Sequence, residues 1–382
     1  MLTNTNGVKV EQLVFWQDML TPHMYELAKS CAKKGLDTIY IAEKEISKHR
    51  RDDGWNVPQS DSLKTIIFHK PKRIPQLLNQ YADAVHLVQG VYGNGIMDEV
   101  RRHLWKKKLH WGVVLETVDE RNRLKAPLKR LVYHNRLTNR SKKPDFVLAT
   151  GAKTPSWIAA RGFPQERIFP FAYFLAAPDK IRVKEQNNGP FRIGYVGRFI
   201  QLKRIDLLID ALAMLRMADY RLVLIGDGPL HDQILVQAYK KLGKEKLEVH
   251  GVLPLSQVST MMTSLDCLVL PSDYDGWGAA IVEAMMQGVP VVCSDACGVS
   301  LAVRASGCGE VFPKGNGGAL RMALEKIILE DSFTPEKRRQ LADWSCCFSA
   351  EAGAKYLHEI LMRVYEDGPI PVVPWSRTNL CR

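Results

Sequence analysis

The sequence predicts an α/β protein of two doubly wound parallel-sheet domains facing a central cleft. Three observations predict it. The chain has 382 residues with 46% hydrophobic and 25% charged composition, ordinary for a globular protein and too long for one core. Short apolar runs alternate with helix-sized amphipathic segments, the pattern of parallel strands joined by helical crossovers. The alternation restarts after a polar stretch, Lys184 to Pro190, that reads as a linker.

In the first half, Gln12–Trp16 reads as a buried strand, His23–Lys34 as an amphipathic helix and Thr38–Ala42 as a second strand. Val85–Val88, Trp111–Leu115 and Phe146–Ala149 are further apolar runs with helix-length spacers. In the second half, Phe191–Gly197 is a strand ending in glycine, and Asp206–Met217 is a helix with Leu207, Leu208, Ala211, Leu212 and Leu215 on one face. Strands follow at Arg221–Gly226, Leu247–Gly251, Cys267–Leu270 and Pro290–Cys293. Ala350–Tyr365 closes the pattern as an amphipathic helix, and a proline-rich extended tail follows. The expected boundaries are 1–180, 190–345 and a helix with tail, 346–382, that packs back on the first domain. Ligands of two such Rossmann-like domains belong in the crevice at the carboxyl ends of the strands.

The 53 Lys+Arg against 41 Asp+Glu leave a net charge of +12. Fourteen Lys/Arg between Arg101 and Lys143 oppose Glu116, Asp119 and Glu120, a surplus of +11. The excess is therefore local, and the partner it suggests is anionic. No nucleic-acid-binding module occurs there, and Trp105, Trp111 and Tyr133 are not spaced as a stacking platform. The expected partner of residues 101–143 is an anionic membrane surface, with Trp105 and Trp111 inserting at the interface. Eight cysteines without paired metal-ligand spacing point to a reduced, cytoplasmic setting. The N-terminus has no signal pattern, and no apolar run approaches the length of a membrane span.

The segment Pro271 to Pro290 carries the most chemistry. A strand ends at Pro271-Ser272, the loop Asp275-Gly276-Trp277-Gly278 follows, and a helix runs from there to Gln287-Gly288. A glycine turn feeding a helix N-terminus offers amide donors and a positive dipole end to phosphate. Asp275 before that helix and Glu283 within it can accept hydrogen bonds from sugar and ribose hydroxyls. Arg198 and Lys203 place two cations after the strand of the same domain, suited to a diphosphate leaving group. Asp273-Tyr274-Asp275 also spells the metal-chelating Asp-x-Asp pattern. With Arg198 and Lys203 supplying the phosphate charge, no metal is expected. A nicotinamide-dinucleotide reading fails because Gly194-x-x-Gly197 is not a Gly-x-Gly-x-x-Gly turn.

Taken together, Gly194-Tyr195-Val196-Gly197-Arg198-Phe199 with Lys203, then Gly226-Asp227-Gly228-Pro229, then Asp275-Gly276-Trp277-Gly278 running to Glu283-Ala284 and Gly288-Val289-Pro290 resemble one known domain. It is the donor domain of group 1 (family 4) glycosyltransferases, which are retaining enzymes of GT-B architecture. The resemblance implies a nucleotide-sugar substrate (UDP- or GDP-linked), no separate cofactor, and a glycan or lipid-linked acceptor in cell-surface polysaccharide or lipopolysaccharide synthesis. It implies that Arg198 and Lys203 hold the diphosphate, Glu283 the ribose and Asp275 the donor sugar. Amides around Gly276, Trp277 and Gly278 would touch the sugar and those of Ala279 and Ala280 the phosphate. Gly226 would lie in the nucleotide site, with Gly251 and Val252 bordering the base. The first acid is Asp275 where the family usually has Glu. The family often places a histidine of the first domain near the donor sugar, which makes His86 a candidate. Glu116, closing a strand, and His23, opening a helix, are the other two candidates.

Overall fold

The structure is a computed structural model that describes residues 9–52, 60–93, 95–122, 124–139, 143–178, 180–181, 183–184, 189–215, 219–329 and 334–376. The polar linker expected at Lys184 to Pro190 thus falls largely outside the described residues, as do Arg123, Arg140 and Lys142 of the basic segment. The chain divides into two compact units. The first holds Met1–Ser47, Val57–Ala176 and Ser349–Pro374; the second holds Lys48–Asn56, Ala177–Phe348 and Trp375–Arg382.

The first unit is a seven-stranded sheet of β1 (Gln12–Met19), β2 (Asp37–Lys44), β3 (Lys64–Ile67), β4 (Val85–Gln89), β5 (Trp111–Glu116), β6 (Phe146–Thr150) and β7 (Ile168–Phe171). Its order is β3-β2-β1-β4-β5-β6-β7, and every pairing is parallel. Progression reverses between β1 and β4, which opens a crevice at their carboxyl ends. Strands buried on both faces read as continuous apolar runs, as Leu13–Trp16 and Phe146–Ala149 do with at most 1% exposure. One face is covered by helices that include Met97–Lys107 and Ala126–Thr138, which bury Val100, Leu104, Tyr133 and Leu137 in a common core. Helix Pro22–Lys33 packs with helix Ala350–Tyr365. The latter also donates from Tyr356 Oη to the Pro170 carbonyl at 3.1 Å and from Tyr365 Oη to Asp145 at 2.8 Å.

The second unit is a six-stranded parallel sheet of β8 (Phe191–Val196), β9 (Tyr220–Ile225), β10 (Leu247–Val249), β11 (Cys267–Leu270), β12 (Val291–Ser294) and β13 (Gly309–Phe312). Its order is β10-β9-β8-β11-β12-β13, with the reversal between β8 and β11. The helix expected over Asp206–Met217 spans Ile205–Ala213, so Leu215 lies beyond it, and Met217 is outside the described residues. The strands β3, β7 and β13 were not evident from sequence. All three are four-residue edge strands, with too few positions to show a period.

Candidate functional site

In the second unit the loops after β8, β9, β10 and β11 converge at the carboxyl edge. Gly197 N donates to Ile225 O at 3.0 Å, and Gly226 N donates to Gly251 O at 2.7 Å, stitching three strand ends together. Gly226 has φ +131°, and a Cβ there would lie 2.0 Å from the Gly197 carbonyl oxygen. Only glycine permits so close an approach of two backbones. Gly226 is thus a spacing residue of the crevice floor. Val252, just past Gly251, is 42% exposed and offers an apolar edge beside it.

Lys203 ends a 3-10 turn after β8, and Asp275 follows β11, so the two face each other across the reversal point. Lys203 Nζ donates to Asp275 Oδ2 at 2.5 Å. Asp275 Oδ1 also accepts from the Trp277 backbone N at 3.2 Å. Sequence reasoning placed that amide against a sugar; here it is engaged with the Asp275 side chain. The Trp277 indole is buried against Phe348 and Trp375, at ring separations of 6.1 and 6.3 Å. Asp273, the other acid of the Asp-x-Asp pattern, is paired with Arg204 at 3.2 Å. Both acids of that pattern therefore already face a cation.

Gly278, with φ +101°, caps helix Ala279–Met286 without any side-chain hydrogen bond to the first turn. The amides of Ala279 and Ala280 thus open this helix beside Asp275, with the positive dipole end behind them. Glu283 lies one turn further along. It has no hydrogen bond or ion pair among the described residues, and burial pushes its carboxyl up to about 7. Arg198 follows Gly197 at the end of β8, and its carbonyl accepts from Tyr195 Oη at 3.0 Å. The structure therefore brings Arg198, Lys203, Asp275, Gly276, Gly278, Ala279, Ala280 and Glu283 to one edge of one sheet. What this edge can do is bind an anion on amides and cations while carboxylates receive hydroxyls.

In the first unit a cavity of about 430 Å3 lies at the reversal between β1 and β4, lined by Gln17, His23, Gln89, Glu116, Lys129 and Tyr173 among others. Two of the three candidates of this half meet here through Tyr173, which sequence reasoning missed. The Tyr173 ring stacks on His23, with centroids 3.8 Å apart and planes 12° apart. Its hydroxyl donates to Glu116 Oε1. Tyr173 follows a short edge strand, so its only sequence signal was a polar aromatic at a strand end. The third candidate is corrected. His86 is the second residue of β4, at the end remote from the crevice, and is 0% exposed. It accepts from Trp16 Nε1 at 3.1 Å, and burial lowers its pKa to about 3, so it is a neutral core histidine.

The basic segment is also corrected. Arg101 is fully buried, donating to the Gln89 and Gly90 carbonyls at 2.9 and 2.8 Å and to Asp98 at 2.7 Å. Trp111 is 4% exposed, and Trp105 packs on the core beneath the Arg136 guanidinium at 4.7 Å. Trp111 is thus buried in the core, and Trp105 is half-buried against it.

Comparison with known proteins agrees with this geometry. Residues 177–343 match the family described as glycosyl transferases group 1. An uncharacterized glycosyltransferase of Methanocaldococcus jannaschii is 30% identical over 187 residues, 47% of this chain and 50% of that protein. The putative teichuronic acid biosynthesis glycosyltransferase TuaC of Bacillus subtilis is 32% identical over 165 residues, 43% of this chain and 40% of that protein. The chain spans about half the length, or less, of these curated relatives. Among solved structures, Anabaena HepE in complex with UDP superposes with a TM-score of 0.71 at 15% identity, covering 92% of this chain and 100% of that one. That likeness shows the fold. Residues 177–343, whose crevice is closed by Lys203 and Asp275, belong to the glycosyl transferases group 1 family, within a chain of GT-B fold.

Proposed function

We propose that the chain is a retaining, metal-independent glycosyltransferase that moves a sugar from a UDP- or GDP-linked donor to a glycan or lipid-linked acceptor, in the assembly of a cell-surface polysaccharide or lipopolysaccharide. The observation that carries the reading is the Lys203–Asp275 pair set between an uncapped helix N-terminus and the unpaired Glu283. The Lys203 ammonium and the Arg198 guanidinium neutralise a diphosphate, and the Ala279 and Ala280 amides receive its oxygens. Glu283 accepts two hydroxyls of the ribose, and Val252 lies against the base. Asp275, released from Lys203 as the diphosphate takes that cation, accepts a hydroxyl of the transferred sugar. In the retaining scheme the C1–O bond to the diphosphate breaks as the acceptor oxygen attacks from the same face, and the leaving phosphate oxygen takes the acceptor proton. Positioning and charge stabilisation supply the acceleration.

The first unit's cavity takes the acceptor, since Gln17, Gln89, Glu116 and the His23–Tyr173 stack combine hydroxyl-binding groups with an aromatic wall. The teichuronic acid relative supports a surface polysaccharide, and the UDP complex of HepE supports a nucleoside diphosphate donor. Asp273 is held by Arg204, and Arg198 and Lys203 supply the positive charge that balances the leaving group, which supports a metal-independent reading. No described helix is long and apolar enough to cross a membrane; the enzyme works in the cytoplasm, at the inner face of the membrane.

A panel of UDP- and GDP-sugars read by thermal shift and donor hydrolysis tests the reading. One nucleotide series is expected to raise Tm. Lys203→Ala and Glu283→Ala are each expected to lower sugar transfer at least tenfold with folding retained. Full activity in either variant overturns the donor-site assignment.

A further inference from the structure

We propose that Trp375, in the tail after helix Ala350–Tyr365, is a positioning residue for the donor sugar, acting through Trp277 on the loop that carries Asp275. The role at the sugar rests on the reading of Asp275 given above.

The loop is tied both by its backbone and by the Trp277 side chain. Trp277 N donates to Asp275 Oδ1 at 3.2 Å, so the carboxylate turns with that peptide. The Trp277 carbonyl accepts from Val299 N at 2.8 Å, and the Asp275 carbonyl accepts from Gly298 N at 3.0 Å. A Cβ on Gly298 would lie 2.1 Å from the Gly276 carbonyl oxygen, so the two backbones run in close contact. Those bonds hold the carbonyls of residues 275 and 277. The peptide that donates to Asp275 is steered by the indole attached to it.

That indole is one corner of a triangle of rings. Besides its own contacts with Phe348 and Trp375, those two stack on each other, with centroids 5.4 Å apart and planes 20° apart. All three separations fall in the range where aromatic rings attract. Three mutual contacts restrict both the position and the tilt of the indole, which a single contact would not do. Phe348 is braced in turn by Trp344 at 5.7 Å. Trp344 belongs to helix Pro335–Ser345, which packs on helix Ala279–Met286, the carrier of Glu283.

The tail is placed for this contact rather than for general cover. The chain leaves the second unit after Phe348 and returns to it at Trp375. Ile370 and Val372 are 79% and 66% exposed, whereas Pro374 is buried and Trp375 half-buried. A tail that merely hid apolar surface would hide its isoleucine and valine as well. Burial is concentrated instead where the tail meets Trp277. The nucleotide contacts assigned above to Arg198, Glu283 and Val252 do not pass through Trp277. Loss of Trp375 therefore loosens the carboxylate of the sugar and leaves the holders of the nucleotide in place.

Two measurements on the full chain test this. Hydrogen exchange without any ligand reads the loop itself: in Trp375→Ala, exchange at the Trp277 and Val299 amides is expected to rise about tenfold, with β8 and β11 unchanged. Kinetics read the consequence, using the UDP- or GDP-sugar that the donor panel selects. Trp375→Ala is expected to lower kcat for donor hydrolysis about tenfold, while the Kd for UDP or GDP changes less than about twofold. Trp375→Phe, which restores a ring, is expected to stay within about threefold of the wild-type kcat. Trp375→Leu keeps apolar volume without a ring and is expected to match Trp375→Ala in both measurements, so it decides the matter should the alanine variant fail to fold. Unchanged exchange at Trp277 overturns the proposal, as does wild-type kcat in the leucine variant. A parallel loss of kcat and nucleotide affinity also overturns it, because Trp375 would then be a structural plug. Absence of donor hydrolysis in the wild type counts against the glycosyltransferase reading alone, because exchange is measured without donor and still decides whether Trp375 holds the loop.

Discussion

Glu283 is the residue whose titration reports on the site most directly. Its carboxyl is pushed from 4.5 up to about 7 by burial, so the folded chain binds a proton there that the unfolded chain releases. The sign follows. Below pH 4.5 both states are protonated and nothing is lost; as pH rises through 7 the folded state must carry a poorly solvated charge, and stability falls. Glu283→Gln is therefore expected to match wild type near pH 4.5 and to exceed it by about 1 kcal/mol at pH 8, a value discounted for partial solvent screening. Thermal melts at the two pH values decide this. If Glu283 takes the ribose diol as proposed, the ionised form does so, and nucleotide affinity is expected to rise with pH up to about 7 in the wild type and to be flat in the variant. At this scale Asp275 and Glu283 were legible in the sequence because their spacing brackets a helix start. His86 was not, because a residue's place at one end of a strand or the other depends on where pairing begins. That is set by neighbouring strands: His86 pairs with Val14 and Trp111 at the buried end of the sheet.

At the scale of elements, the carboxyl edge of the second sheet depends on loops that touch backbone to backbone. Gly226→Ala would drive a methyl to 2.0 Å from the Gly197 carbonyl at a φ of +131°. The expected cost is about 2–4 kcal/mol, from combined steric overlap and backbone strain. Chemical denaturation of the variant checks it, and an unchanged midpoint would show that the loops do not need their close approach. The alternation of strand and helix was readable from periodicity, and so was helix Ala350–Tyr365. Helix and tail were expected together on the first domain; the helix packs with Pro22–Lys33, whereas Trp375 of the tail stacks on Phe348 of the second unit. Tyr356, Leu357, Ile360 and Leu361 are at most 2% exposed inside the first unit. Leu361→Ala is expected to destabilise that unit by about 2–4 kcal/mol. Hydrogen exchange confined to helix Pro22–Lys33 and strands β1 and β7 would locate the loss; loss confined to β8–β13 would contradict the assignment.

For the molecule as a whole, the net charge of +12 pointed to an anionic partner, and its concentration between Arg101 and Lys143 was countable. The division of that charge was not. Arg101 is a buried strut, Arg121 and Arg130 are spent on Asp119 and Glu120, and Arg136 covers Trp105. The sequence by itself determined the two doubly wound sheets, because buried parallel strands must be apolar throughout and crossover helices amphipathic. It also marked glycine, cation and carboxylate around one helix start as a candidate anion site, because a glycine turn feeding a helix offers amides to an anion. Only the tertiary structure decided that Lys203 meets Asp275, that Tyr173 joins His23 to Glu116, that His86 is core, and that Trp105 packs on the core. Each of these joins residues far apart in the chain or depends on which side of a helix is covered. Local periodicity carries neither kind of information; packing does.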